Sequence, residues 1–421
     1  MSVLLRNGSV LTDAGMESVD VLIEGSHIAA VGGGLDASDA EIVDCEGSWV
    51  GPGFVDLHAH LREPGEEWKE DIASASSAAA AGGYTAVVAM PNTSPPVDDG
   101  HHARFVIERG RAAGRCEVAA AGCLTEGRGG MSLAHYDALW EAGVRIFTDD
   151  GDCVMDSGLL RRAMEYVAEL GGVVAQHAED AGLVAGGHMN EGAVSAALGM
   201  LARPAAAEEI ALARDLALVR LTGVRYHALH VSTARSVHLI ADAKADGMAV
   251  TAEVTPHHLF FDDGEVRSTD PVYKMNPPLR PADDRDALRR ALGAGVIDAV
   301  AADHAPHADF EKDVPFEEAP AGVIGLETAA AAVATSTPMS PADFYERMSV
   351  APARIAGLDR HGRTVVRGAP ANIAVFDPAA TWTPATFRSK AANSPFRGRT
   401  LTGRVRATVY EGHLAPATVG V

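Results

Sequence analysis

The chain has 421 residues, with 57 acidic against 35 basic side chains and a formal net charge of −22. That balance argues against a surface built to hold nucleic acid phosphates or anionic membranes. At ~150 residues per domain the length allows about two to three domains, although one α/β barrel can use ~250 alone. A composition of 47% hydrophobic and 22% charged residues is globular rather than disordered. No stretch approaches the ~18 uninterrupted apolar residues of a membrane span. The run Met1–Arg6 turns polar too early for the apolar core of a signal peptide. Cys45, Cys116, Cys123 and Cys153 show no CxxC spacing and read as reduced thiols of a cytoplasmic protein.

Residues 1–52 alternate short β-like runs with turns: Val3–Leu5, Asn7-Gly8, Val19–Ile23 and Gly32–Gly34. From residue 53 the pattern changes. Eight apolar runs follow: Phe54–Leu57, Thr85–Met90, Val118–Cys123, Val144–Thr148, Val173–Gln176, Tyr226–Leu229, Ala249–Val254 and Ala299–Ala302. Alanine-rich segments between them predict helices, among them Ile72–Ala81, Leu159–Leu170, Ala206–Arg220, Ala234–Ala245 and Arg285–Leu292. Eight strands each followed by a helix predict an α/β fold, a (β/α)8 TIM-type barrel over 53–358. Residues 359–421 return to short strands at Thr364–Val366, Ile373–Phe376 and Val405–Tyr410. Neither flank can build a convincing core alone, so 1–52 and 359–421 are expected to form one small composite β-sandwich-like domain.

The histidines carry the chemistry. The first barrel run ends Asp56-Leu57-His58-Ala59-His60, and residues two apart on a strand share a face, as a bidentate metal clamp requires. The fourth run ends Thr148-Asp149-Asp150, the fifth Gln176-His177, the sixth Leu229-His230 and the eighth Ala302-Asp303-His304. All fall at the C-terminal ends of strands, the catalytic rim of such barrels. Imidazole with carboxylate suits zinc or another divalent ion. Four histidines and at least two aspartates exceed what one ion needs, which implies two metals ~3.5–4 Å apart sharing a carboxylate and a hydroxide.

The motifs together resemble the amidohydrolase superfamily, and more narrowly the class I dihydroorotases. They are Gly51-Pro52-Gly53-Phe54-Val55-Asp56-Leu57-His58, His60-Leu61-Arg62-Glu63-Pro64-Gly65, Met90-Pro91-Asn92-Thr93 and Phe147-Thr148-Asp149-Asp150-Gly151. Further along come Lys274-Met275-Asn276-Pro277-Pro278, Asp303-His304-Ala305-Pro306-His307 and Gly325-Leu326-Glu327-Thr328. The resemblance implies two zinc ions per chain. It puts His58, His60 and Asp303 at one, His177 and His230 at the other, and Asp150 across both. Asp149 is the alternative bridge, since spacing alone does not separate adjacent aspartates. Relatives such as hydantoinases bridge with a carboxylated lysine, and no lysine occurs here between Lys69 and Lys244.

The same resemblance makes Arg62, Asn92 and Asn276 a clamp for the substrate carboxylate, with His307 and the backbone at Ala321 and Gly322 around the ring. Asp303 becomes the catalytic proton carrier. Two departures from the family pattern, Ala178 and Asn372, touch no ligand position. The implied reaction is the reversible hydrolysis of dihydroorotate to carbamoyl aspartate in pyrimidine synthesis. The implied partners are a second copy of the chain and aspartate transcarbamoylase. The alternatives are a hydantoinase, dihydropyrimidinase or allantoinase, or a non-catalytic structural relative.

Other polar residues take structural readings. His257, His258 and His304 are expected to pack or hydrogen-bond, His101 and His102 to sit on a solvated helix start, and Asp56 to orient a metal ligand. Glu179 and Asp180 read as an acidic pair at a helix N-terminus, and Cys116 and Cys123 as buried thiols.

Overall fold

Short apolar runs become barrel strands here because both of their faces are covered. The computed structural model describes residues 2–36 and 39–415. Strands Phe54–Ala59, Tyr84–Ala89 and Glu117–Ala120 pair in parallel. Ile146–Phe147, Val173–Gln176, Arg225–Ala228, Val250–Val254 and Ala299–Val300 form a second parallel set. Single bridges join the two sets, Gly122 to Phe147 at one seam and Ala59 to His304 at the other. The result is a TIM-type barrel whose first two strands are buried at every residue.

At the second seam a buried side chain supplements the sparse backbone pairing. Asp56 Oδ1 accepts from the N–H of Ala302 (2.9 Å) and of His58 (3.2 Å). Burial pushes its carboxyl up to about 7. Asp56 therefore fastens the backbone of the first strand to the last, and does not touch the imidazole that it was expected to orient.

Several helices begin where a side chain caps them, for example Asp71 before Ile72–Ala81, Asp156 before Ser157–Leu170 and Thr233 before Ala234–Ala245. Ser157–Leu170, Ala206–Thr222 and Ala282–Ala294 end at glycines in the left-handed conformation, Gly171, Gly223 and Gly295. Within the described residues no helix is long and apolar enough to cross a membrane.

Both ends of the chain contribute to one further sheet. Ser2–Thr12, Gly15–Glu24, His27–Gly32, Glu41–Asp44 and Trp49–Pro52 are joined there by Ile373–Trp382, Leu401–Tyr410 and His413–Ala415. The first strand pairs with Glu41–Asp44 along residues 3–6 and with Trp49–Val50 at residues 9–10, so the sheet forks. Val3, Leu5, Val10, Ile23, Val375 and Val409 help to form its own apolar core. Aromatic contacts of Phe344 with Trp49, Phe54 and Phe376 connect this sheet to the barrel.

Candidate metal and substrate site

The ends of five barrel strands converge on one buried cluster. His58 lies within the first strand, and His60 follows it by one residue. Asp150, His177, His230 and Asp303 each lie within three residues of the end of their strand. The backbone turns sharply to aim them: His230 (φ 30°), Asp303 (φ 42°) and Arg62 (φ 63°) all adopt left-handed conformations. Such conformations cost a non-glycine residue about 1–3 kcal/mol each and persist where the surroundings over-determine them.

Asp150 is the carboxylate between the two histidine pairs. Its Oδ2 lies 3.1 Å from His58 Nε2 and 3.5 Å from His60 Nε2. Its Oδ1 lies 3.7 Å from His177 Nδ1 and 3.5 Å from His230 Nε2. Asp303 Oδ1 is 3.2 Å from His60 Nε2 and 3.6 Å from His58 Nε2. Asp149 faces elsewhere: it accepts from the N–H groups of Leu124 (2.8 Å) and Thr125 (3.0 Å) and from the Thr125 hydroxyl. Adjacent aspartates that spacing leaves equivalent thus have separate surroundings.

The donor set fits divalent cations. Asp150 Oδ1 is buried without a hydrogen bond, and His177 Nδ1 and His230 Nε2 lie only 2.8 Å apart. Ring nitrogens and carboxylate oxygens converging in this way are what a metal ion gathers. The charges of the cluster respond to one another. Burial disfavours the charged form of His58, but Asp150 and Asp303 outweigh burial and raise its pKa well above the usual value. Burial likewise opposes ionisation of Asp150, yet His58, His177 and His230 hold it well below the carboxylate range.

A further ring of contacts orients the imidazoles. His58 Nδ1 meets Glu253 Oε1 at 2.9 Å, and Glu253 Oε2 meets His227 Nε2 at 3.0 Å. His60 Nδ1 meets Asn92 Oδ1 at 2.9 Å. In His58 and His60 the opposite nitrogen is left to face the cluster, the arrangement usual around a bound metal. Glu253 and His227 escaped the sequence reading; the signal was a lone acid inside the buried strand Val250–Val254. Of the acidic pair, only Asp180 caps the following helix. Glu179 instead lies 3.5 Å from His177 Nε2 and 3.2 Å from Arg203 Nη1.

Beside the cluster opens a cavity of about 210 Å³ lined by Arg62, Asn92, Asn276, Asp303, His307 and the backbone at Ala321 and Gly322. Hydrogen bonds decide what these side chains can offer. The Asn92 oxygen is engaged by His60, and the Asn276 oxygen accepts from Arg203 Nη1 at 2.6 Å. The Asn92 amide keeps its N–H groups for a ligand, while Asn276 Nδ2 also lies 3.2 Å from His177 Nε2 and has its second N–H left to offer. Arg62 is anchored through Nε to the carbonyl of Pro306 (3.2 Å). His307 Nε2 donates to the carbonyl of Ala321 (2.9 Å), and burial with the nearby Arg62 charge keeps this imidazole neutral, its pKa lowered to about 2.

His257, His258 and His304 serve the framework. His258 is held by Thr255 Oγ1 (2.7 Å) and the Pro277 carbonyl (3.0 Å), with His257 buried against it. His304 Nδ1 accepts from the N–H of Gly325. His102 stands 3.2 Å from the helix-capping Asp99. The cysteines are free thiols.

Residues 47–236 match a family model described as dihydro-orotase-like. A dihydroorotase of Mycobacterium leprae is 47% identical over 98% of this chain and 97% of its own length. One of Streptomyces coelicolor is 47% identical over 97% of each. Among solved structures, the L-hydantoinase (dihydropyrimidinase) of Arthrobacter aurescens superposes with a TM-score of 0.88 at 25% identity, covering 100% of this chain and 97% of that one. The hydantoinase shares the architecture, whereas the end-to-end identity lies with the dihydroorotases. A barrel mouth furnished with paired metal donors, on a chain so similar to them from end to end, belongs to the dihydroorotase family of the amidohydrolase superfamily.

Proposed function

We propose that the chain catalyses the reversible hydrolysis of (S)-dihydroorotate to N-carbamoyl-L-aspartate, a step of pyrimidine (UMP) synthesis. One observation favours this ring over a hydantoin or a dihydropyrimidine. Arg62 and two amides whose oxygens are already engaged make a wall of N–H donors at the cavity. Such a wall suits a carboxylate, and a guanidinium fork suits it better than an ammonium.

His58 and His60, with Asp303, would hold one divalent cation; His177 and His230 would hold a second, and Asp150 would face both. Two such ions, zinc in this proposal, lower the pKa of bound water and polarise a carbonyl. Arg62, Asn92 and Asn276 hold the carboxylate, so that the ring amide faces the attacking oxygen. His307 and the backbone at Ala321 and Gly322 border the ring. Asp303 accepts the proton of the attacking water and returns it to the ring nitrogen as the C–N bond breaks.

The deciding experiment compares turnover of dihydroorotate, hydantoin, dihydrouracil and allantoin on one metal-quantified preparation. Dihydroorotate is expected to lead by about a hundredfold or more, because rings without the carboxylate leave the buried donors unpaired. Equal or faster opening of hydantoin would sink the assignment.

Metal uptake should depend on pH. Burial opposes the charged form of His177, but Asp150 and Glu179 outweigh it and raise its pKa to about 9. Below that value a metal must displace a proton. Affinity is therefore expected to rise by about tenfold per displaced proton for each pH unit between ~6 and ~8, with protons released to buffer. Calorimetry in buffers of different ionisation enthalpy checks this, and pH-independent affinity contradicts it. Glu253→Gln should weaken metal binding by about 10–100-fold while dihydroorotate remains the preferred substrate. Competition with a chelator of known affinity measures it.

The proposal also takes 53–358 as the barrel domain and 1–52 with 359–421 as the β domain. It takes the enzyme as a cytoplasmic homodimer that associates with aspartate transcarbamoylase. Light scattering and copurification test the two assemblies.

A further inference from the structure

The loop between strands Ile373–Trp382 and Leu401–Tyr410 leaves the terminal sheet and lies against the barrel mouth. Ser389 and Lys390 bond to Glu70, and the N–H groups of Arg388 and Ser389 donate to Glu327. Farther along, Phe396 packs against Phe260 and Phe261. Between these anchors sits Asn393, which is 7% exposed.

The Asn393 side chain meets the wall of the cavity. Its Nδ2 donates to the carbonyls of Ala305 (3.2 Å) and Gly322 (3.1 Å), and its Oδ1 accepts from the N–H of His307 (3.2 Å). The two segments it joins also pair directly, Ala305 N–H donating to Val323 O at 2.8 Å. Two carbonyl oxygens cannot bond to each other. A primary amide, with two N–H groups and one oxygen, satisfies both and still receives the His307 N–H.

The segments approach too closely for a side chain at Gly322 (φ 131°). A Cβ there would lie 2.7 Å from Ala305 Cβ and 3.0 Å from His307 Nε2. Ala305, His307, Ala321 and Gly322 all line the cavity, so a shift of either segment moves the wall itself. Without the amide, three backbone groups lose a partner, and the segments have an incentive to part so that water can reach them.

We propose that Asn393 is a positioning residue for this wall, holding His307 and the Ala321–Gly322 backbone in register from a loop of the terminal sheet. The proposal rests on the dihydroorotase reading of the cavity. Its test uses metal-loaded N393A and N393D. The aspartate keeps the volume and the His307 contact but sets a carboxylate against two carbonyl oxygens.

In both variants KM for dihydroorotate is expected to rise about tenfold or more, with a smaller loss of kcat. Metal content should stay at the wild-type level. Hydrogen exchange, measured without substrate, should quicken at 305–307 and 321–323 but not in the strands carrying His58 and His177. A KM within about twofold of wild type, or unchanged exchange at those segments, overturns the proposal. So does a uniform rise in exchange with KM unaltered, which marks a purely structural asparagine. Absence of dihydroorotate turnover in the wild type overturns the substrate reading instead, while the exchange contrast still decides whether Asn393 places the wall.

Discussion

Asp303→Asn is expected to retain its metal and lose most of its turnover. Burial works against a charge on Asp303, but His58 and His60 outweigh it and hold the carboxyl far below its ordinary range. The group is therefore a carboxylate throughout the neutral range, and it starts the cycle unprotonated beside the histidine cluster. Asparagine preserves the shape and an oxygen that can face His60, yet it cannot take the proton. Loss of a positioned general base costs about 10²–10⁴-fold in rate. Metal should remain, because Asp150 and four histidines are untouched. The check is kcat measured beside metal content on one preparation, and a near-wild-type kcat in the metal-replete variant would remove Asp303 from the mechanism.

Arg62→Ala should act mainly on substrate binding. Arg62 is buried at the cavity wall, with its backbone left-handed and its Nε bound to Pro306. Hydrogen bonds to a charged partner contribute about 1.5–3 kcal/mol, so KM is expected to rise about 10–100-fold with a smaller change in kcat. Arg62→Lys should recover only part of this, since an ammonium keeps the charge but not the planar fork. An unchanged KM in the alanine variant would contradict the clamp. The side chain also resolves an apparent conflict. A chain of net charge −22 takes an anionic substrate because local donors and cations outweigh the distant field at the site.

Much of the site was readable along the chain because its signals are local. The His58–His60 pair follows from the two-residue period of a strand, and the recurrence of His or Asp where apolar runs stop marks the barrel rim. Helix limits were less legible: Ala282–Ala294 is longer at both ends than the alanine and leucine pattern indicates. Its start follows Pro281 and its end follows from the left-handed Gly295, neither of which is hydrophobic periodicity.

Fold class and the recurrence of His and Asp at strand ends follow from residue order, since periodicity and strand-end position are properties of neighbours in sequence. The clamp for an anionic substrate comes from the family resemblance. Other features depend on side chains brought together across the barrel. Asp149 and Asp150 are one residue apart, yet Thr125 takes one and four histidines surround the other. Glu253 reaches His58 across 195 positions, and Asn393 reaches Ala305 across 88. No local pattern encodes such contacts. They exist because closing the barrel turns its first and seventh strands toward the same interior, and because a loop of the terminal sheet folds back over the mouth.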